Sequence, residues 1–246
     1  MSGCERTAQR LFLEARLAPG ERIACTPEQA NYLLNVLRLG ADAEISVFNG
    51  RDGEWRARLS DVGKRRCTLE CLELMRRQAP GPDIHYLFAP LKHARLDYMV
   101  QKATEMGASK LQPVLTRRTI VARVNSERMR ANAIEAAEQC GILNVPEVAA
   151  PERLETLLDT WDAKRALVFC DEAAKVGSPL AALMRLEGRP LAVLVGPEGG
   201  FEPSEQTALR AKPFAVPISL GPRIMRADTA AVAALALINA AVGDWR

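Results

Sequence analysis

The sequence predicts an α/β protein in which a mainly parallel sheet, covered by helices on both faces, follows a small β-barrel. Three observations carry this. Roughly the first 75 of the 246 residues are short alternating runs separated by turn signals. Gln78-Ala79-Pro80-Gly81-Pro82-Asp83 then reads as a linker. Beyond it, continuous apolar runs alternate with segments of helical period, as strands buried on both faces do. The expected domains are residues 1–77 and 78–246.

The elements follow in order. Glu44–Phe48, Glu54–Leu59 and Cys67–Leu72 have strand character, and Asn49-Gly50, Asp52-Gly53 and Gly63-Lys64 supply turns. A short helix near Pro27–Leu37 interrupts them. After the linker, Ile84–Phe88 is a buried-type strand. Leu96, Met99, Val100, Ala103 and Met106 then share one helical face, which Gly107 closes. Leu111–Leu115 is a strand, and a helix capped by Asn125 or Ser126 runs to Cys140 and stops at Gly141. Ala166–Cys170, Leu191–Val195 and Phe214–Ile218 are further strands, and Ala227–Ala241 is an Ala-rich helix.

Composition excludes several classes. A 48% hydrophobic and 26% charged chain has ample material for a core, so disorder is not expected. No apolar run approaches the roughly 20 residues that span a membrane. Met1–Arg10 lacks the apolar region of a secretory signal, so a cytoplasmic protein with reduced thiols is expected. The six cysteines are scattered, and Cys67 and Cys71 have no second pair, so no metal site is expected. With two histidines, histidine-based triads lack material. The net charge of +3 hides an uneven spread, since residues 92–130 hold nine basic and three acidic side chains. That stretch is either a solvated helix face or a phosphate-binding surface.

Two segments carry chemistry. Leu194-Val195-Gly196-Pro197-Glu198-Gly199-Gly200-Phe201 runs from a buried strand into a glycine-rich loop, and Pro203-Ser204-Glu205 opens a helix. Open α/β sheets bind ligands at such strand ends, where glycines allow close backbone approach. The loop lacks a Walker A lysine and the dinucleotide spacing, and its one charge, Glu198, suits a cation or hydroxyls better than phosphate. The alternative is a tight structural turn. Ser219-Leu220-Gly221-Pro222-Arg223-Ile224-Met225-Arg226 leaves the next strand in the same way, and Arg223 and Arg226 either bind an anion or cap other loops.

Together these segments resemble the cofactor loops of the SPOUT superfamily of S-adenosylmethionine-dependent RNA methyltransferases, whose C-terminal part forms a trefoil knot. The chain is similar in particular to the bacterial family that methylates N3 of a uridine in small-subunit (16S) ribosomal RNA. Val195–Gly200 and Leu220–Ala230 match its pattern, as do Gln101–Gly107, Glu135–Gly141 with Val145-Pro146-Glu147, Val36-Leu37-Arg38 and Phe48-Asn49-Gly50. Met225, Ala227-Asp228 and Ile142 depart from it without touching the loop glycines.

The resemblance implies a PUA-like barrel over 1–77, a knotted domain over 78–246, a homodimer, and S-adenosyl-L-methionine as cofactor. It implies no membrane and no metal. Cofactor binding falls on Leu194–Gly200, Ser219, Leu220, Gly221 and Arg223–Arg226. Methyl transfer from a sulfonium is a direct displacement that positioning promotes. Arg226, or Arg223, would stabilise charge on the uracil carbonyls as the N3 proton leaves, and Glu198 is a candidate base. Glu198 bound to loop N–H groups is the alternative. Ribosomal RNA would contact Arg10, Arg22 and Arg38 of the barrel and Lys92, Arg95, Lys102, Arg117, Arg118 and Arg123 of the basic stretch. A surface ion pair is the alternative for Lys102 and Glu105. The competing functions are ribose 2′-O methylation of tRNA or rRNA and a non-catalytic RNA-binding assembly factor.

Overall fold

The computed structural model describes residues 9–121, 123–174 and 178–245. The expectation for Met1–Arg10 rests mostly on residues outside these, and Cys4 lies outside them too. The chain divides into two units, Met1–Pro80 with Ala137–Asn144, and Gly81–Ala136 with Val145–Arg246.

In the first unit, five strands form one sheet: β1 (Arg10–Phe12), β2 (Arg22–Ala24), β3 (Glu44–Phe48), β4 (Glu54–Ser60) and β5 (Thr68–Arg76). Their order is β1-β3-β4-β5-β2, with β1 parallel to β3 and the other pairs antiparallel. Register shifts between β4 and β5 bend this sheet into a half-barrel of the PUA-like kind. Leu11, Ile23, Ile45, Val47, Ala57, Leu59 and Leu69 fill its inner face. α1 (Pro27–Asn31) starts at a capping box, in which Gln29 N donates to Thr26 Oγ1 and Thr26 N to Gln29 Oε1. It continues as one π-helical turn, Tyr32–Val36.

One ionic cluster organises this unit. Arg10 Nε donates to Glu54 at 2.6 Å, and Arg76 pairs with the other carboxylate oxygen. Only 9% of the Arg10 side chain and 8% of Glu54 is exposed. Arg10 also donates to the carbonyls of Ala137, Glu138 (3.1 Å) and Ile142 (3.0 Å), and Arg76 to that of Gly141 at 2.8 Å. These arginines therefore satisfy the carbonyls that a helix C-terminus leaves open. This is why residues 137–144 group with the first unit, although the linear reading kept them in the second.

The second unit alternates strands and helices as its periodicity requires. It contains β6 (Ile84–Phe88), α2 (His93–Glu105), β7 (Lys110–Leu115), α3 (Ser126–Cys140, its last turn in the first unit), β8 (Glu147–Val148) and β9 (Glu152–Arg153). Then come α4 (Leu154–Asp159), β10 (Ala166–Cys170), α5 (Pro179–Met184), β11 (Leu191–Val195), α6 (Pro203–Ala211), β12 (Ala215–Ile218) and α7 (Ala227–Val242). Asn125 caps α3, its Oδ1 accepting from Arg128 N at 3.0 Å. The sheet order is β12-β10-β11-β6-β7-β8, with β9 also beside β7, and every pairing is parallel.

The period-2 alternation of the central strands feeds two cores. Tyr86, Phe88, Val168, Val193 and Val195 face α2, α3, α5 and α7. Leu87, Leu167, Phe169 and Leu194 face α4, α6, Phe201 and Phe214. Among the described residues no helix is long and apolar enough to cross a membrane, and Cys25, Cys67, Cys71 and Cys170 carry free thiols.

Candidate active site

All the sheet's strands run the same way, so their carboxyl ends share one edge, where an open α/β sheet places its ligands. There the segments after β10, β11 and β12, with the start of α7, enclose a cavity of about 250 Å³. The glycine loop is the wall after β11. Gly200 N donates to the Pro197 carbonyl at 2.8 Å, closing a four-residue turn. Gly200 holds φ +69°, a left-handed value that a side chain would strain. Gly196 serves another purpose, because a Cβ there would lie 3.0 Å from Cε2 and Cζ of the buried Phe201 ring. Gly221, at φ +106°, turns the wall after β12.

Most of the expected cofactor residues come together. Val195 to Gly200 and Leu220, Gly221, Arg223, Ile224 and Met225 all line the cavity. Three do not. The Leu194 side chain is wholly buried in the opposite core layer, because strand alternation turns it away from its neighbour Val195. Ser219 is not in the lining, and its hydroxyl accepts from Gly221 N at 3.3 Å. Arg226 occupies the N-cap of α7 with its side chain exposed, and Arg223 is the arginine in the lining. Of the two arginines expected to stabilise charge on the uracil carbonyls, Arg223 is thus the one that lines the cavity.

The structure adds residues that motif reading missed. Cys170, Asp171 and Glu172 end β10 on the cavity, and Phe201 and Gln206 complete the glycine-loop side. Burial pushes the Cys170 thiol up to about 12, so it is a neutral wall and not a thiolate nucleophile. Asp171 is buried and held by Arg210, whose Nε and Nη2 donate at 2.9 and 2.6 Å. Glu172 is exposed, with Oε1 3.9 Å from the Cβ position of Gly200 and no ion partner among the described residues. The one signal for these residues was their place just after a buried parallel strand. Glu198 pairs with Arg95 of α2 at 3.4 Å, and both side chains are about half exposed. Among the described residues no group of three or more His, Cys, Asp or Glu is placed to hold a metal ion.

The expected RNA contacts separate into free and committed cations. Arg38, Lys92 and Arg123 are exposed, and Arg22 is exposed but paired with Asp61 at 2.5 Å. Arg10 is removed from the set, because burial against Glu54 leaves nothing to meet a phosphate. Lys102 Nζ donates to Glu105 at 2.7 and 2.8 Å, the surface pair that was its alternative. Arg117 lies 3.4 Å from Glu155 and 3.5 Å from Glu202. Arg118 donates to the Gly199 carbonyl at 2.7 Å.

Comparison with known proteins fits this geometry. Residues 78–239 match an RNA methyltransferase domain model, and residues 25–71 an RNA methyltransferase PUA domain model. The chain is 31% identical over 233 residues to ribosomal RNA small subunit methyltransferase E of Rickettsia conorii, covering 94% of each chain. It is 34% identical over 240 residues to the Synechocystis protein of the same name, covering 95% of this chain and 78% of that one. Among solved structures, a Legionella pneumophila methyltransferase with bound S-adenosylmethionine superposes with TM-score 0.85 at 28% identity, covering 97% of this chain and 99% of that one. Ribosomal RNA small subunit methyltransferase E of Neisseria gonorrhoeae, also bound to S-adenosylmethionine, gives 0.84 at 28% identity with the same coverage.

Proposed function

The chain belongs to the ribosomal RNA small subunit methyltransferase E family, and from that premise we propose that it methylates N3 of one uridine in 16S ribosomal RNA, using S-adenosylmethionine. The observation that carries this reading is the cavity at the carboxyl ends of β10, β11 and β12, walled by two glycine-bearing loops. Its residues suit the cofactor. Val195, Phe201, Leu220 and Met225 give apolar walls for a flat base, and the loops offer backbone groups for ribose hydroxyls. Glu172, which has no ion partner among the described residues, offers a carboxylate to the cationic centres.

When bound, the cofactor supplies an electrophilic methyl group on a sulfonium, which a nucleophile displaces directly. The chain's own residues then have two tasks. They hold the acceptor nitrogen in line with that methyl, where positioning contributes most of the acceleration. They also manage the imide proton. Its loss puts negative charge on the carbonyls flanking N3, and Arg223 is the cavity arginine we assign to stabilise it. Glu198, held at the cavity lip by Arg95, is the carboxylate we assign to receive the proton.

A base inside a helix is not accessible to such a cavity, so the target uridine must be splayed out. Arg38, Lys92 and Arg123 supply sequence-independent phosphate contacts. The exposed apolar residues Leu180 and Met184, one turn apart on α5, support a homodimer. The reading is tested by incubating the protein with small-subunit rRNA and methyl-labelled cofactor and digesting the RNA to nucleosides. Label in N3-methyluridine supports it; label in a 2′-O-methylated nucleoside, or none, overturns it.

A further inference from the structure

Two arginines expected to meet RNA lie in a turn that makes a different set of contacts. Thr116–Thr119, directly after β7, is closed by Thr119 N donating to the Thr116 carbonyl at 3.1 Å and by Thr116 N donating to Thr119 Oγ1 at 2.8 Å. Two ties join it to the glycine loop and the helix that follows. Arg118 Nη1 donates to the Gly199 carbonyl at 2.7 Å, and its Cδ lies 3.7 Å from the Cβ position of Gly199. Glu205, in the first turn of α6 and 4% exposed, accepts from Arg117 N at 2.8 Å with one oxygen and from Glu202 N at 2.9 Å with the other.

A loop that grips a ligand through its backbone needs an anchor. Gly199 and Gly200 have no side chains to pack, and whatever freedom they keep must be given up on binding, at the expense of affinity. A guanidinium on a carbonyl and a buried carboxylate on two backbone N–H groups are charge-assisted bonds, about twice as strong as neutral ones. The carboxylate also sits at the favourable end of the α6 dipole.

We propose that the Thr116–Thr119 turn is the buttress of the cofactor loop, and that Arg118 and Glu205 are positioning residues which fix Gly199 before the cofactor arrives. The proposal rests on reading the cavity as the S-adenosylmethionine pocket. It takes Arg118 out of the set of phosphate contacts, although it lies in the most basic stretch of the chain.

The test is calorimetric titration of S-adenosylhomocysteine into the full-length wild type, Arg118→Ala and Glu205→Gln. The affinity of a 16S rRNA fragment is measured in parallel across salt concentrations. Arg118 is exposed, so its variant should keep the wild-type melting temperature while its Kd for S-adenosylhomocysteine rises about tenfold, a hydrogen bond to a charged group being lost. In turnover the KM for S-adenosylmethionine should rise by a similar factor and kcat by far less. The RNA salt slope should not change. Glu205→Gln retains one acceptor oxygen and should raise the same Kd. An unchanged Kd in Arg118→Ala overturns the proposal, whether or not RNA binding weakens. A salt slope lower by about one contact would restore Arg118 to the phosphate set. If the wild type itself takes up no S-adenosylhomocysteine, the cofactor reading fails, and not the buttress.

Discussion

Gly196 and Gly199 stand three residues apart in one loop and both line the cavity, but alanine should damage binding at the first and leave it nearly unchanged at the second. A methyl group at Gly196 would lie 3.0 Å from two carbons of Phe201 and 3.3 Å from a third. Carbon atoms prefer about 3.5–4.0 Å. The ring cannot retreat freely, because Phe201 is 5% exposed and packs in the layer of Leu194, Leu209 and Phe214. Overpacking of this kind costs about 1–3 kcal/mol. Relief must come from shifting Phe201 or the Gly196 backbone, and both are cavity wall. If about 1.4 kcal/mol of it appears in binding, the Kd for S-adenosylhomocysteine rises about tenfold.

Gly199 differs. Its φ is not left-handed, and a Cβ there meets only Arg118 Cδ, at an ordinary 3.7 Å. Gly199→Ala should therefore bind within about twofold of wild type. Calorimetry on the two variants, with thermal melting as the control for folding, reads the contrast. Equal damage from both, or a worse result at Gly199, would refute the packing argument.

Three further outcomes follow from the same contacts. Glu54→Ala leaves the Arg10 guanidinium buried without its carboxylate and should cost about 3 kcal/mol, read as a lower urea midpoint; an unchanged midpoint would show that the cluster is not stabilising. His85 is held down to about 4, from an ordinary 6.5, by burial and then by Arg165. The unfolded chain therefore binds more protons between these values, so this contribution to stability is complete above about pH 6.5 and is lost as pH falls toward 4. Melting temperatures at pH 7 and pH 5 should converge in His85→Gln relative to wild type; an identical drop in both proteins counts against this origin. Leu180→Asp with Met184→Asp should turn a sedimenting dimer into a monomer, whereas a monomeric wild type would end the homodimer proposal.

The parts legible in sequence were those whose cause is local. Apolar runs bounded by turn residues located β6, β10 and β11 at the right residues, since burial of both faces of a strand leaves a continuous pattern. The glycines of the 196–200 loop marked a cavity wall because two of them answer to local constraints, the left-handed φ of Gly200 and the close approach of the Phe201 ring to Gly196. β1 and β2 were missed because three-residue strands carry too little periodicity to stand out. Arg10 was misread because an exposed and a buried arginine look alike in sequence. Its partners Glu54 and Ile142 lie 44 and 132 residues away. Asp171 and Glu172 went unnoticed because no glycine pattern flags the end of β10, and only the assembled sheet brings that end to the cavity. Arg117 and Arg118 show the same limit. Nine basic residues within 92–130 suggested one phosphate-binding face, but several of these cations are held by neighbouring carboxylates or carbonyls.

The central claim is that this cavity directs a methyl group to N3 of one uridine. Mass spectrometry of 16S rRNA nucleosides from a strain lacking the gene, with and without the restored wild-type copy, tests it most directly. N3-methyluridine should disappear on deletion and return on restoration, with 2′-O-methylated nucleosides constant. An unchanged N3-methyluridine level, or the loss of a 2′-O-methyl group in its place, would contradict it.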